Sequence, residues 1–294
     1  MNLPLLKLPL ILKLMRPHQY IKNIFIFIPL FFALKITDMG LLLDSFIAFA
    51  AFSMAASSVY ILNDYFDIED DKKHPKKRFR PLASGGVSKK EGIIMMILLF
   101  VGSMALISCF SFSAAAILLF YLMMNIAYSL YLKHIAILDV TIIAIGFVLR
   151  LFMGSVVTGI VLSHWIVIMT FLLALFMALA KRRDDVLIYK NTGEKMRRVV
   201  DGYSLQFLDI AMAIMASVVI VSYVMYTSSV DVMERMNSQY LYLTALFVIM
   251  GVMRYLQIAF VFLDSGSPTQ IVLKDRFIQM TLVSWLVSFV WILY

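Results

Sequence analysis

Residues 41–71 read LLLDSFIAFAAFSMAASSVYILNDYFDIEDD. The first part, from Leu41 to Leu62, carries one charge, Asp44, over a length sufficient to cross a bilayer core, for which about 20 apolar residues are needed. The chain then runs directly into acid: Asp64, Asp67, Glu69, Asp70 and Asp71 fall within eight residues. This is a membrane helix with a charged end. The same character holds over the whole chain of 294 residues, which is 62% apolar and 15% charged with a mean hydropathy of +0.91. A soluble globular protein carries about a quarter charged residues, so that class is excluded. At roughly twenty residues per span, the length accommodates about eight to ten transmembrane helices and leaves no stretch for a separate soluble domain.

Apolar runs bounded by polar residues predict nine spans: 24–36, 41–62, 93–110, 113–132, 137–159, 164–180, 207–228, 240–262 and 277–294. The expected fold is an all-α integral membrane protein of nine transmembrane helices, with residues 1–294 forming one polytopic domain. If the N-terminus is cytoplasmic and the sides alternate, then of 26 Lys and Arg residues only Lys35, at the far end of the first span, and Arg235 fall on the opposite side, and only Arg150 and Arg254 lie deeper inside spans. The positive-inside rule therefore places the N-terminus and the two long loops, 64–92 and 181–206, on the cytoplasmic face of the inner membrane, with Tyr294 on the far side. The first residues carry Lys7, Lys13 and Arg16 without a clean apolar core and a small-residue cleavage site, which predicts a retained segment lying on the membrane surface. The one cysteine, Cys109, makes an intramolecular disulfide impossible and is expected in helix packing. The net charge of +8 can meet anionic lipid. The acid interleaved with it argues for chemistry as well, and no nucleic-acid partner is expected.

If the second span continues as a helix beyond the membrane, Asn63, Asp67 and Asp71 stack on one face at i, i+4 and i+8, with Asp64 one step round. Acids at a helix C-terminus oppose the macrodipole and repel one another, so they require a positive partner. A set of oxygen donors without cysteine suits Mg²⁺, which binds one or two carboxylates together with substrate phosphates. Asn63, Asp64, Asp67 and Asp71 are the candidate metal ligands and catalytic residues. Directly after them come Lys76, Lys77, Arg78 and Arg80, followed by Gly85-Gly86. Acid then base is the layout of a site for a metal-bound polyphosphate, in which Lys and Arg take the charge the metal leaves. His74 is a further candidate for orienting a carboxylate or a phosphate.

The pattern Asn63-Asp64-x-x-Asp67-x-x-x-Asp71, ending a second span and followed by Arg80-Pro81-x-x-x-Gly85, resembles the first signature of the UbiA-type prenyltransferase superfamily. More narrowly, His74-Pro75-x-Lys77-Arg78-Phe79-Arg80-Pro81 is similar to the branch that joins phosphoribosyl pyrophosphate to a polyprenyl phosphate. The opening, Arg16-Pro17 followed by Lys22-Asn23, resembles the entrance to that branch's first span. Tyr128-Ser129-x-x-Leu132-Lys133 resembles the end of the fourth span. Lys181-Arg182-Arg183-Asp184-Asp185, with Thr192-Gly193, Arg197 and Tyr203-Ser204, resembles the second conserved region, Asp185 standing where the branch carries glutamate. The resemblance implies a Mg²⁺-dependent phosphoribosyl transfer at the cytoplasmic mouth of a helical bundle. Lys22, Lys77, Arg78, Arg80, Tyr128, Lys133, Arg150, Lys181, Arg182 and Asp185 are then the residues expected to bind the two substrates.

Arg150 lies deep in the fifth predicted span, where a charge costs at least about 2.5 kcal/mol, so it requires a polar cavity or a partner such as Asp139. Arg254 lies nearer a span end and can snorkel. Three other readings stay open on the residues alone. Prenyl transfer from a prenyl diphosphate to an aromatic or glycerol-phosphate acceptor would bring a second acidic metal motif. Anion transport would spread ionisable groups through the depth of several spans. A lipid-binding member of the superfamily without turnover would keep the binding chemistry alone.

Overall fold

The computed structural model describes residues 8–73, 77–193, 198–265 and 268–293. Among these residues every regular element is helical. The chain divides into two compact units, Met1–Leu132 with Gly146–Leu162, and Lys133–Ile145 with Ser163–Tyr294.

The first unit contains α1 (Leu8–Met15), a 3-10 segment (Pro17–Phe27), α2 (Ile28–Phe32), α3 (Met39–Phe66), α4 (Ile68–Lys73), α5 (Lys89–Ser108) and α6 (Phe112–Leu130), with the later part of α7 (Leu138–Thr158). At its centre α3 packs on α1, the 3-10 segment, α5 and α6. The buried positions of α3 are mostly small, among them Ala48, Ala51, Ser53, Ala55, Ala56 and Ser57. Lipid offers no hydrophobic drive to bring helices together, so small side chains that let backbones approach supply the packing. Side chains also fix where helices begin. The Asp38 carboxylate accepts from the backbone N–H groups of Gly40 and Leu41, and Ser88 and Glu91 form a reciprocal capping box on α5.

The second unit contains the early part of α7, then α8 (His164–Thr192), a 3-10 turn (Arg198–Gly202), α9 (Leu205–Thr227), α10 (Val230–Met236), α11 (Ala245–Phe260), α12 (Pro268–Lys274) and α13 (Arg276–Leu293). Here α8 packs on α9, and α11 packs on α9 and α13. Phe176, Leu179, Leu208, Met212, Tyr255 and Ile258 share its core.

Seven helices among the described residues are long and apolar enough to cross a membrane: 39–66, 89–108, 112–130, 138–158, 164–192, 205–227 and 241–260. The nine-span expectation differs at its two ends. The first expected span, 24–36, is no continuous helix. The 3-10 segment passes into the five residues of α2, and the chain then turns through Leu34 at a φ of 56°. Pro29 explains the break, because it has no N–H to donate and its ring would clash with the carbonyl four residues back in an unbroken helix. The last expected span is α13, apolar but at the lower edge of spanning length.

The expected loop 181–206 also differs: α8 continues as helix through Thr192 and stops at Gly193, whose φ is 72°. No glycine or proline lies between Lys181 and Thr192 to end it earlier, and Arg182 bonds Asp185 one turn on. The other expected loop, 64–92, is partly helical, with the end of α3, then α4, then a 3-10 turn at Lys77–Phe79. Cys109 caps the end of α5 and is exposed instead of packed.

Candidate active site

In the first unit the acidic face survives the end of α3. Asp67 is the C-cap residue of α3, yet its N–H bonds the Asn63 carbonyl at 3.0 Å, and the Asp71 N–H bonds the Asp67 carbonyl at 2.8 Å. The helical i to i+4 pattern therefore carries Asn63, Asp67 and Asp71 across the boundary on one face. Asp64 and Asp71 are buried, at 2% and 3% exposure. Their charge is met by arginine. Nη1 of Arg80 donates to Asp64 Oδ1 at 3.0 Å and to Asp71 Oδ2 at 2.7 Å, so one nitrogen bridges the two carboxylates. Arg16 also bonds Asp64 Oδ1, and its guanidinium lies over the Tyr60 ring at 5.4 Å.

Both arginines are placed by their neighbours. Pro81, Leu82 and Ala83 are buried directly after Arg80, and Leu82 and Val87 pack with Leu14, Ile61 and Ile68. Lys13 of α1 donates to the Phe79 carbonyl at 3.1 Å. Arg16 itself takes a left-handed backbone, with a φ of 56°, between α1 and the 3-10 segment. Lys77 is half-buried, whereas Arg78 is exposed and lies over the Phe79 ring at 4.9 Å. His74 and Lys76 lie outside the described residues, as does Arg197.

These residues fit a divalent cation shared with a phosphate substrate. All the donors are hard oxygens, and two buried carboxylates already converge on one cationic atom, Arg80 Nη1. Among the described residues no three His, Cys, Asp or Glu side chains gather closely enough to hold a metal alone. Such a cation would therefore complete its shell with water and substrate oxygens, as Mg²⁺ commonly does.

Arg150 is also in the first unit, 4% exposed. Expected among the substrate-binding residues, in a polar cavity or beside a partner such as Asp139, Arg150 has its hydrogen-bond partners within this unit. Its Nε donates to Asn23 Oδ1 and its Nη1 to the Gly146 carbonyl, both at 2.7 Å, and its Nη2 reaches the Tyr121 hydroxyl at 3.3 Å. The rings of Phe52, Tyr121 and Phe147 lie 4.7, 5.1 and 5.5 Å from the guanidinium carbon. Lys22 and Tyr128 are half-buried in the same unit.

The second unit holds a separate ionic network. Arg182, expected as a phosphate ligand, is 1% exposed. Its Nε bonds Asp139 Oδ2 and its Nη1 bonds Asp185 Oδ2 at 2.8 Å. The Tyr203 hydroxyl donates to Asp139 Oδ1 at 2.6 Å and accepts from the Ile137 N–H at 2.7 Å. Burial, and then the hydrogen bond to Asp139, push the Tyr203 phenol well above its ordinary pKa. Arg183 bonds Asp209 at 2.6 Å and the Ala259 carbonyl at 2.7 Å. Lys181 is exposed and Lys133 is half-buried. Arg254, expected to snorkel, instead pairs with Asp275 at 2.8 Å.

Arg16, Asp139 and Tyr203, which bond directly to expected site residues or to their partners, were not themselves among the expected site residues. Arg16 was visible only as half of an arginine–proline pair. Asp139 stands in the sequence only as a possible partner for Arg150.

The profile of the UbiA prenyltransferase family matches residues 24–291. The chain belongs to the UbiA prenyltransferase family. It is an integral membrane protein and a membrane-embedded transferase. The chain is similar to the decaprenyl-phosphate phosphoribosyltransferase of Mycolicibacterium smegmatis, at 30% identity over 94% of this chain and 90% of the relative. It is also similar to the protein of that name from Corynebacterium glutamicum, at 28% identity over 96% and 86%. Among solved structures, a UbiA homolog from Archaeoglobus fulgidus bound to DMAPP and Mg²⁺ matches with a TM-score of 0.71 at 17% identity, covering 96% of this chain and 99% of that one. This UbiA member thus shares the fold of that homolog over nearly its whole length.

Proposed function

We propose that this UbiA member transfers a 5-phosphoribosyl group from phosphoribosyl pyrophosphate to a polyprenyl phosphate and releases pyrophosphate, with Mg²⁺ as cofactor. The observation that carries the reading is the convergence of Asp64 and Asp71 on Arg80, with Arg16 on the same carboxylate. Carboxylate and guanidinium so interleaved suit a diphosphate bound through a cation. The relatives named as decaprenyl-phosphate phosphoribosyltransferases support the choice of substrates.

Asn63, Asp64, Asp67 and Asp71 would hold Mg²⁺, which when bound neutralises the pyrophosphate leaving group. Lys77, Arg78 and Arg80 take the remaining diphosphate charge, and Arg16 shares it. The bond from ribose carbon 1 to the pyrophosphate oxygen breaks with its electrons on pyrophosphate. A polyprenyl phosphate oxygen supplies the electron pair for the new bond. A phosphate monoester is ionised near neutral pH, so the chain needs no general base for this step. Lys133 and Lys181 bind phosphate directly, with Tyr128 and Lys22 beside the substrates. The buried Arg182 acts through Asp139 and Asp185, as a positioning residue. The one-sided distribution of Lys and Arg supports a site, with loops 64–92 and 181–206, on the cytoplasmic side of the inner membrane.

Prenyl transfer is the second reading, favoured by the likeness to a homolog bound to DMAPP. One experiment separates them. Purified protein is given Mg²⁺, phosphoribosyl pyrophosphate and a polyprenyl phosphate, beside a parallel reaction with a prenyl diphosphate and aromatic or glycerol-phosphate acceptors, and lipid products are resolved by mass. A phosphoribosylated lipid that disappears with EDTA is expected. Prenylated product alone would overturn the proposal.

A further inference from the structure

An eleven-residue 3-10 helix is unusual, since such runs rarely exceed three or four residues, and Pro17–Phe27 is one. Its side chains sort by the three-residue repeat of that geometry, in which i and i+3 eclipse. His18, Ile21 and Ile24 are exposed. Tyr20, Asn23 and Ile26 form the face turned inward, where Asn23 and Ile26 are buried. Gln19 and Lys22 form the third row, half-buried, running on from Arg16, whose carbonyl accepts from the Gln19 N–H at 2.9 Å.

The inward row meshes with two α-helices. On α3, Tyr20 bonds Ser57 at 2.7 Å, and Asn23 Nδ2 donates to Ser53 Oγ at 2.8 Å. On α7, Arg150 donates to Asn23, and Gly154 lies so close to Ile26 that an added Cβ would be 1.9 Å from its carbonyl oxygen. Three residues on the segment therefore match four on each neighbour. The repeats are commensurate: three 3-10 residues rise about 6 Å, and four α-helical residues rise about 6 Å. An α-helical segment, at 3.6 residues per turn, would carry Asn23 and Ile26 out of line with their partners.

Arg150 stands at the junction. Its hydrogen-bond acceptors among the described residues are all neutral, so the guanidinium is no counter-ion to a carboxylate. On the segment it grips Asn23, a side chain that is itself bonded to Ser53 of α3. We propose that Arg150 is a positioning residue for phosphate binding: through Asn23 it holds the 3-10 register that keeps Lys22 and Gln19 in a row with Arg16, and this row binds the diphosphate of the donor. The inference rests on the reading of the donor as a diphosphate sugar.

The test measures steady-state kinetics and pyrophosphate binding by calorimetry in Arg150→Met, Asn23→Leu and Asn23→Asp proteins. Asn23→Leu leaves Arg150 no acceptor on the 3-10 segment, its bonds to Gly146 and Tyr121 remaining, whereas Asn23→Asp keeps the acceptor. Arg150→Met and Asn23→Leu should raise KM for phosphoribosyl pyrophosphate about tenfold or more with kcat within about threefold, and weaken pyrophosphate binding similarly. Asn23→Asp should restore both to within about threefold of wild type. KM for the polyprenyl phosphate should not move. Unchanged donor KM and pyrophosphate affinity in Asn23→Leu, or equal loss in Asn23→Asp, overturns the inference. If Arg150→Met does not fold, the two Asn23 variants decide alone. If those two also fail, the milder Ser53→Ala, which loosens the same asparagine, should raise donor KM, and no change there overturns the inference. If the wild type yields no phosphoribosylated lipid, the functional reading fails. The positioning role is then judged on pyrophosphate affinity, which Arg150→Met should lower and which must stay unchanged for the role to be rejected.

Discussion

Arg182 of α8 reaches back 43 residues to Asp139 of α7, and neither is accessible, at 1% and 0% exposure. A buried pair of this kind says little about net stability, because desolvation offsets most of the attraction, but leaving one member alone is costly. Asp139→Leu should therefore destabilise the protein by about 3–5 kcal/mol, and the double substitution Asp139→Leu with Arg182→Met should recover a large part of that. Unfolding by denaturing detergent in a double-mutant cycle measures both. Additive losses would show that the two side chains do not act as a pair.

The bridge from Arg80 to Asp64 and Asp71 uses one nitrogen of a planar fork. Lysine keeps the charge on a flexible stem without that fork. Arg80→Lys should raise the donor KM about tenfold or more, and Asp67→Asn or Asp71→Asn should abolish metal-dependent turnover while leaving membrane insertion intact. Full activity in both aspartate variants would remove the acidic face from the site.

Gly154 faces the Ile26 carbonyl with no room for a methyl group, and the clash would be with backbone that cannot swing aside. Gly154→Ala should cost about 1–3 kcal/mol or more, in the range of overpacking a well-filled core. Gly251, where an added Cβ meets Thr281 Oγ1 at an ordinary 3.5 Å, serves as the control. Equal melting temperatures for the two alanine variants would contradict the close approach.

Asp275 is held below the ordinary carboxylate range by its hydrogen bonds to Arg254, which outweigh its desolvation. A depressed folded pKa contributes stability above the unfolded value, near 3.9, and that stability is lost as pH falls through the folded value. Tyr203 is shifted the other way, so its contribution is complete below about pH 10 and is lost as pH rises beyond it. Melting temperature against pH should lose part of its acid limb in Asp275→Asn and part of its alkaline limb in Tyr203→Phe. Unaltered limbs would show that neither group is linked to folding.

Much of this was readable from local pattern. Seven of the nine spans expected from the apolar runs coincide with helices long and apolar enough to cross a membrane, and the spacing of Asn63, Asp67 and Asp71 places them on one face, because helical periodicity is a property of neighbours. The partners of those residues were not readable. Nothing near Asp64 points to Arg16, 48 residues earlier, or near Asp139 to Arg182, because such pairs arise only when separate helices pack. The register of Pro17–Phe27 escaped for a related reason: its 3-10 geometry fits the serines of α3 and Arg150 and Gly154 of α7, while in sequence only its end, from Ile24, reads as membrane helix. Lys181 to Asp185 read as loop because charge after an apolar run marks the end of a span, yet α8 runs on as helix to Thr192.

The division of α7 also sets an order of assembly. Every residue of the first unit precedes Ser163, so its core can close while α8 is still being synthesised. Asp139 emerges in that interval without its partners, which follow 43 and 64 residues later. At about 5–20 residues per second, the wait for Arg182 is about two to nine seconds. During translation the second unit thus holds an unpaired acid at the start of a helix whose other end is already committed, and the arrival of α8 discharges it.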